Sequence, residues 1–273
     1  MTRERYTVVG ARGFIGSALA ERLRAGGHNV TGMSHDAKFD PPAGLGHVIY
    51  ASGIAAAGAA DAGYAYAVHV EGLRRIIAGG SATSLLYLSS TRVYDGSPDT
   101  RESARLGVDP AGGDIYRITK IAGEALCLSV SSPAFRVARL SNVAGASFRS
   151  PLFLSDILRQ AAAGSRVSVR TTRDSAKDYL TIDDVCRYLA AIARSGRERL
   201  YNVASGTNTT NGAIFDALQH VCNATIDIAP DAARAVTPAI DVERLQAEFG
   251  PAQTPFVTEI PAIYAAFAAH ARA

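Results

Sequence analysis

A short apolar run, Tyr6-Thr-Val-Val, stops at Gly10-Ala-Arg-Gly13-Phe-Ile-Gly16 and passes directly into Ser17-Ala-Leu-Ala-Glu-Arg-Leu-Arg-Ala25, whose apolar residues recur at helical spacing. Few local structures fit that order. A strand that turns at glycines into a helix leaves the first N–H groups of the helix unpaired, with the positive end of its dipole beside them. Gly10 permits the tight turn, Gly13 lets backbone approach a pyrophosphate, and the helix start offers donors to that anion. The chain has 25 glycines, so the spacing alone is weak. The strand before it and the helix after it are the context the motif requires. A dinucleotide is the expected ligand, with Gly10, Gly13, Phe14, Ile15 and Gly16 as contacts.

The alternation continues along the chain. Strands are expected at 6–10, 29–34, 47–51, 85–89 and 134–140, and helices at 13–25, 62–79 and 115–131, an order that predicts an α/β fold with a doubly wound parallel sheet. Beyond Asn142 the order loosens into a helix at 151–163 and an excursion carrying Arg166, Arg170 and Arg173. A helix at 183–195 and a strand at 199–203 then rejoin the core. Residues 1–145 are therefore expected to form a Rossmann-like dinucleotide-binding domain to which the chain returns at about 180–205. Residues 146–179 and 206–273 are expected to form a small C-terminal α/β substrate lobe.

Chemistry enters with Tyr116-Arg-Ile-Thr-Lys120, which sets a phenol and an ammonium at i and i+4 on one helix face. A phenol titrates near 10 and is a poor base at neutrality unless a positive charge favours its phenolate. Two unit charges about 4 Å apart near a protein surface interact by roughly 4 kcal/mol. Lys120 is thus expected to lower the pKa of Tyr116; the ordinary alternative is a solvated surface pair. The strand Leu85-Leu-Tyr-Leu-Ser89-Ser90 ends in hydroxyls, and ligands in open α/β sheets collect beyond the carboxyl ends of strands. Ser90 can then bond the same substrate oxygen whose proton Tyr116 handles, unless it merely terminates the strand.

Together these segments resemble the extended short-chain dehydrogenase/reductase superfamily, in its NAD-dependent epimerase/dehydratase branch of sugar-nucleotide enzymes. The resemblance covers nearly the whole chain. It includes Gly10-x-x-Gly13-x-x-Gly16, Ser89-Ser90-x-x-Val93-Tyr94, Tyr116-x-x-x-Lys120, Arg139-Leu-Ser-Asn142-Val-Ala-Gly145, Lys177-Asp-Tyr-Leu-Thr-Ile-Asp183-Asp184-Val185 and Leu200-Tyr-Asn-Val-Ala-Ser-Gly206. It implies hydride transfer between NAD or NADP and a carbon of a nucleotide-activated sugar, usually C4, by an epimerase or a 4-keto reductase. Ser90, Tyr116 and Lys120 would be the catalytic trio, Lys120 also holding the cofactor ribose. Ala51, Ser52 and Gly53, at the end of the strand from His47, would touch the cofactor, and Asn142 the substrate. Lys177 would stand where the family usually has an arginine on the diphosphate; lysine keeps the charge and loses the fork. The resemblance also implies a homodimer through the helices at 62–79 and 115–131. The alternatives are a reductase of a non-sugar alcohol or ketone, and a non-catalytic cofactor-binding protein.

Several departures shape the expectation further. Ser34 ends the second strand where NAD users commonly place an acid for the ribose 2′-hydroxyl, and an acid would repel a 2′-phosphate. With Arg12 beside Gly13 and His35 next to Ser34, this favours NADP, the alternative being that Arg12 is a solvated turn residue. Thr91 and Arg92 stand where 4,6-dehydratases of the family carry an acid and a base, which argues against that elimination. Arg92 is instead a candidate for a polar or anionic substrate group, or a surface arginine. The segment 35–46 is too short for the family's usual extra strand and helix. His69 replaces a customary asparagine, as a packed histidine or a member of a proton relay.

The 273 residues, 48% hydrophobic, suffice for a large core, and a net charge of +3 with no basic run interleaved with aromatics speaks against nucleic acid as a partner. Cys127, Cys186 and Cys222 are odd in number and widely spaced, and read as reduced thiols. Without a signal peptide or an apolar stretch near eighteen residues, a cytoplasmic protein off the membrane is expected. No metal-ligand spacing is evident.

Overall fold

The computed structural model describes residues 3–35, 44–54, 61–164 and 166–272. The shortened connection after the second strand falls largely at 36–43, outside the described residues. The first body is a six-stranded parallel sheet built from β1 (Arg5–Val9), β2 (Asn29–Met33), β3 (Gly46–Tyr50), β4 (Ala82–Ser90), β5 (Phe135–Leu140) and β9 (Leu200–Val203), in the order β2-β1-β3-β4-β5-β9. Its central strands are continuous apolar runs because both faces are covered. Helix α1 (Phe14–Ala25) and α6 (Ile182–Ser195) cover one face, where Leu19, Leu23, Tyr188, Leu189 and Ile192 meet Val8, Ile49 and Leu86. The other face receives α4 (Ile115–Ser129) and a continuous helix formed by α2 (Ala62–Tyr66), a π-helical turn (Ala67–Glu71) and α3 (Gly72–Gly79), through Leu73, Ile76 and Cys127.

From β1 the chain winds first to β2 and then crosses to β3 on the opposite side, so the strand order reverses between the carboxyl ends of β1 and β3. That reversal opens the crevice in which such sheets bind ligands. The turn after β1 is packed against it without spare room. Gly10 has φ +85°, and a Cβ there would come within 2.8 Å of the Ser52 backbone; a Cβ on Gly16 would lie 2.2 Å from the Gly10 carbonyl oxygen. Glycine is thus required at both positions, by backbone conformation at the first and by helix-to-turn contact at the second.

The second body surrounds its own core. Strands β6 (Asn142–Ala144), β8 (Ala176–Thr181) and β10 (Asn208–Thr210) form a three-stranded sheet in the order β10-β8-β6, and β7 (Arg166–Thr171) pairs in parallel with β11 (Thr225–Ala233). Helices α5 (Phe153–Ala163), α7 (Asn211–Cys222) and α9 (Phe256–Ala271) enclose Leu158, Ile214, Phe215, Leu218, Ile260 and Phe267. Helix α8 (Glu243–Phe249) departs from the expected lobe: Leu245 is buried in the core of the six-stranded sheet, and Tyr201 donates to Glu248 at 2.6 Å. The reason is local. Phe249 packs on Tyr201, and the Asp184 carboxylate accepts the backbone N–H groups of Gln253 and Thr254 at 3.0 and 3.1 Å, drawing this segment back to the sheet.

One buried ion pair fixes α4. Arg139 on β5 donates to Glu124 on α4 at 2.6 and 3.0 Å, both side chains about 5% exposed or less, and also to the Tyr94 hydroxyl at 2.7 Å; Tyr94 in turn donates to Asn202 Oδ1 at 2.8 Å. A pair this deep is satisfied only by such a closed set of partners. Arg139, within a segment resembling a substrate loop, is therefore spent on the core. Among the described residues, no helix is long and apolar enough to cross a membrane, and no cluster of His, Cys, Asp and Glu is arranged to hold a metal ion.

Candidate active site

A cleft of about 570 Å³ lies between the carboxyl ends of the sheet strands and the second body. Gly13, Phe14 and Ile15 line it from the first turn, Ala51, Ser52 and Gly53 from the end of β3, and Ser90, Arg92, Tyr116 and Lys120 from the strand and helix beyond. Asn142 and Lys177 reach it from β6 and β8. Gly13 to Ile15, Ala51 to Gly53 and Ser90 with Arg92 lie at or just beyond strand ends at one edge of the sheet, and α4, β6 and β8 bring the others to the same cleft.

Ser90 closes β4 and caps the 3-10 turn Thr91–Tyr94, its hydroxyl accepting the Arg92 N–H at 3.2 Å. The same hydroxyl lies near enough to the Tyr116 phenol to oppose the effect of burial on it. Tyr116 sits in the first turn of α4, where Asp114 caps the helix by accepting the Arg117 N–H at 3.0 Å. Lys120, one turn on and 5% exposed, donates to the Leu88 carbonyl at 2.9 Å, and its Nζ lies 6.0 Å from the centre of the Tyr116 ring and 5.3 Å from that of Tyr87.

The electrostatics differ from the expectation. Burial pushes the Tyr116 phenol up from its ordinary value, opposed by the Ser90 hydroxyl and then by the charge of Arg92. Arg92 lies with its guanidinium carbon 5.9 Å from the Tyr116 ring centre. The leading favourable charge on Tyr116 is that of Arg92, ahead of the Lys120 ammonium expected to supply it. Burial depresses the ammonium itself to about 7, outweighing the favourable charge of Glu124. Proximity along a helix face guaranteed a neighbour, but desolvation decided its charge.

His69 is fully buried in the π-helical turn. Its Nε2 accepts the Ile54 N–H at 3.3 Å, so the proton resides on Nδ1, which donates to Thr119 Oγ1 at 2.8 Å. Burial, then the Lys120 charge, hold its pKa down to about 2. His69 is a neutral strut between the end of the β3 loop and α4. Asn142 likewise lines the cleft while its amide donates to the Asp178 carbonyl at 2.8 Å.

Gly10, Arg12, Gly16, Ser34 and His35 lie around the first turn rather than on the cleft wall. The Gly10 N–H donates to Met33 O at 2.8 Å, which brings the turn beside Ser34 and His35. Arg12 is exposed, and the His35 ring meets the Tyr64 ring edge-on at 5.9 Å.

The cleft fits a dinucleotide on three observations. Helix α1 starts at Gly13 with no side-chain cap, which leaves its first N–H groups available to an anion. The turn preceding it is glycine where a side chain would collide. The Ser89 and Ser141 hydroxyls, buried at the ends of adjacent strands and on the cleft wall, have no hydrogen-bond partner among the described residues. Orphaned polar atoms facing a cavity are suited to a ligand or ordered water.

Sequence reasoning missed Asp95, Ser141 and Thr237. Asp95 follows the Val93-Tyr94 segment, lines the cleft and pairs with Arg92 at 3.4 Å; burial raises its carboxyl despite that pairing. Its position just past a motif was the available signal. Thr237 comes from the connection after β11, and no local pattern marks it.

A family model described as the NAD dependent epimerase/dehydratase family matches residues 6–54 and 42–204. A GDP-6-deoxy-D-mannose reductase of Pseudomonas aeruginosa is 26% identical over 172 residues, which cover 59% of this chain and 56% of that protein. Among solved structures, RMD from Pseudomonas aeruginosa complexed with NADPH superposes with a TM-score of 0.80 at 21% identity, over 97% of this chain and 99% of that one. A UDP-N-acetylglucosamine 4-epimerase from Methanobrevibacter ruminantium, in complex with UDP-N-acetylmuramic acid, gives 0.82 at 16% identity over 99% and 100%.

Proposed function

The chain belongs to the NAD-dependent epimerase/dehydratase family, within the extended short-chain dehydrogenase/reductases, and on that premise we propose that it is an NAD(P)-dependent enzyme acting at a carbon of a nucleotide-activated sugar. The observation that carries the reading is the gathering of Ser90, Tyr116 and Lys120 on the wall of one cleft able to take a dinucleotide. The reaction is C4 epimerisation or reduction of a 4-keto sugar, with Arg12 and Ser34 favouring NADPH and therefore the reductase.

When bound, the nicotinamide supplies or takes a hydride at the sugar carbon. The chain's own groups manage the oxygen on that carbon. Tyr116 exchanges a proton with it, and Ser90, anchored by the Arg92 N–H, orients both by hydrogen bonding. Gly13, Phe14 and Ile15 would hold the pyrophosphate on backbone N–H groups, with Ala51, Ser52 and Gly53 along its path. A cofactor that presents hydroxyls to Lys120 would replace its single bond to Leu88. Burial then favours a proton donor with a modest pKa at that position.

The test is turnover of UDP-, GDP- and dTDP-linked hexoses with NAD+ and NADP+, and of their 4-keto forms with NADH and NADPH. Absorbance at 340 nm separates reductase from epimerase, because only the former consumes reduced cofactor. Tyr116→Phe should lose at least about 100-fold in kcat while still binding cofactor. Full activity in Tyr116→Phe, or no turnover of any nucleotide sugar with either cofactor, would sink the reading.

A further inference from the structure

The Arg92 guanidinium has more hydrogen-bonding capacity than its place beside Tyr116 uses. Arg92 lies two residues beyond Ser90, its N–H bonded to the Ser90 hydroxyl, with its guanidinium carbon 5.9 Å from the Tyr116 ring centre. It lines the cleft with its side chain 51% exposed, and its ion pair is a single 3.4 Å contact with Asp95. A guanidinium has five donors arranged as a fork that matches a carboxylate in bidentate fashion, so most of its capacity is available. Lys177 lines the same cleft and forms no hydrogen bond or ion pair among the described residues; burial first, and then the neighbouring Arg92 charge, push its ammonium down.

The Asp95 carboxylate already acts on both cations, but its single contact with Arg92 leaves guanidinium donors that a second anion would meet. Lys177 is set on β8, across from the catalytic pair. Arg92 is set on the catalytic turn itself, so an anion it grips belongs next to the reacting oxygen. The hydroxyls of a plain hexose give a guanidinium no charge to meet. A carboxylate on the carbon adjacent to the reacting one does, and also accepts both prongs of the fork.

We propose that Arg92 is a specificity-determining residue that binds a carboxylate on the sugar, so that the preferred substrates are nucleotide-linked uronic acids. This rests on the nucleotide-sugar reading above. Asp95 holds the guanidinium in register and yields one prong when the substrate carboxylate arrives. No bond is made or broken in this step; one ion pair is partly exchanged for another.

The experiment compares matched pairs, UDP-glucose with UDP-glucuronate and GDP-mannose with GDP-mannuronate, in wild type, Arg92→Gln and Arg92→Lys, reading the ratio of kcat/KM within each pair. Calorimetric binding of the same four probes gives an affinity ratio that needs no turnover. Wild type should favour the carboxylated member in at least one pair, and Arg92→Gln should reduce that preference by about 100-fold, the scale of a lost charged, hydrogen-bonded contact. Arg92→Lys should fall between, because it keeps charge without the fork. Equal losses on both members of a pair would assign Arg92 to the diphosphate or to Tyr116 and overturn the proposal. A wild-type enzyme that turns over the neutral sugars without preference overturns it while leaving the nucleotide-sugar reading intact. Absence of binding and turnover for all four probes would overturn it as well, and failure of the dTDP-linked and 4-keto substrates too would overturn the nucleotide-sugar reading.

Discussion

Replacing Lys120 by Met should make the cofactor-free protein more stable at neutral pH while removing its activity. Lys120 is 5% exposed and its ammonium is depressed from 10.5 to about 7 by burial. At about 1.4 kcal/mol per decade, that displacement costs the folded state about 5 kcal/mol when the lysine is protonated in both states. The unfolded chain binds the extra proton between about 7 and 10.5. Stability therefore rises with pH across that window, and the burden is complete below it. At pH 7 about 4 kcal/mol remains, and at pH 9 about 2 kcal/mol. Lys120→Met also forfeits the 2.9 Å bond to the Leu88 carbonyl, a charged hydrogen bond worth about 2 kcal/mol. The net gain at pH 7 is thus about 2 kcal/mol, or roughly 4–8 °C in melting temperature for a chain of this size. Urea unfolding of both proteins without cofactor at pH 7 and pH 9 measures it. Wild type should gain about 2 kcal/mol more than the variant on going to pH 9. A variant less stable than wild type at pH 7, or parallel pH dependences, would refute the claim that this lysine is buried against its charge.

Two further outcomes follow from packing. Glu124→Gln leaves Arg139 buried without its carboxylate and should cost about 3–5 kcal/mol in urea denaturation, whereas the double change Glu124→Leu with Arg139→Met should recover most of that loss. Equal destabilisation by the single and double changes would contradict it. Gly16→Ala places a methyl 2.2 Å from the Gly10 carbonyl and forces the first turn open. NAD(P)H affinity by fluorescence titration should fall at least about tenfold with far-ultraviolet circular dichroism retained, and unchanged affinity would show that the turn tolerates displacement.

The glycine turn, the alternation of strands and helices, and the Ser90, Tyr116 and Lys120 pattern were legible in the chain because each depends on neighbours within a few residues. Short range fixed helix α4 and therefore set Tyr116 one turn from Lys120. The location of α8 was not legible. Its anchoring to the sheet depends on Asp184 reaching Gln253 and Thr254, residues about 70 positions away. Asp95 was missed for a similar reason, since its place in the cleft is set by a short 3-10 turn and not by a periodic pattern.

Residue types and local order determined the sheet, its ligand-binding edge and the groups that gather there. Tertiary structure decided what charge those groups carry. Burial weakened the ammonium of Lys120, and a guanidinium from the preceding turn became the leading positive charge on Tyr116. Desolvation depends on every segment that closes over a side chain, and no stretch of sequence encodes that sum by itself.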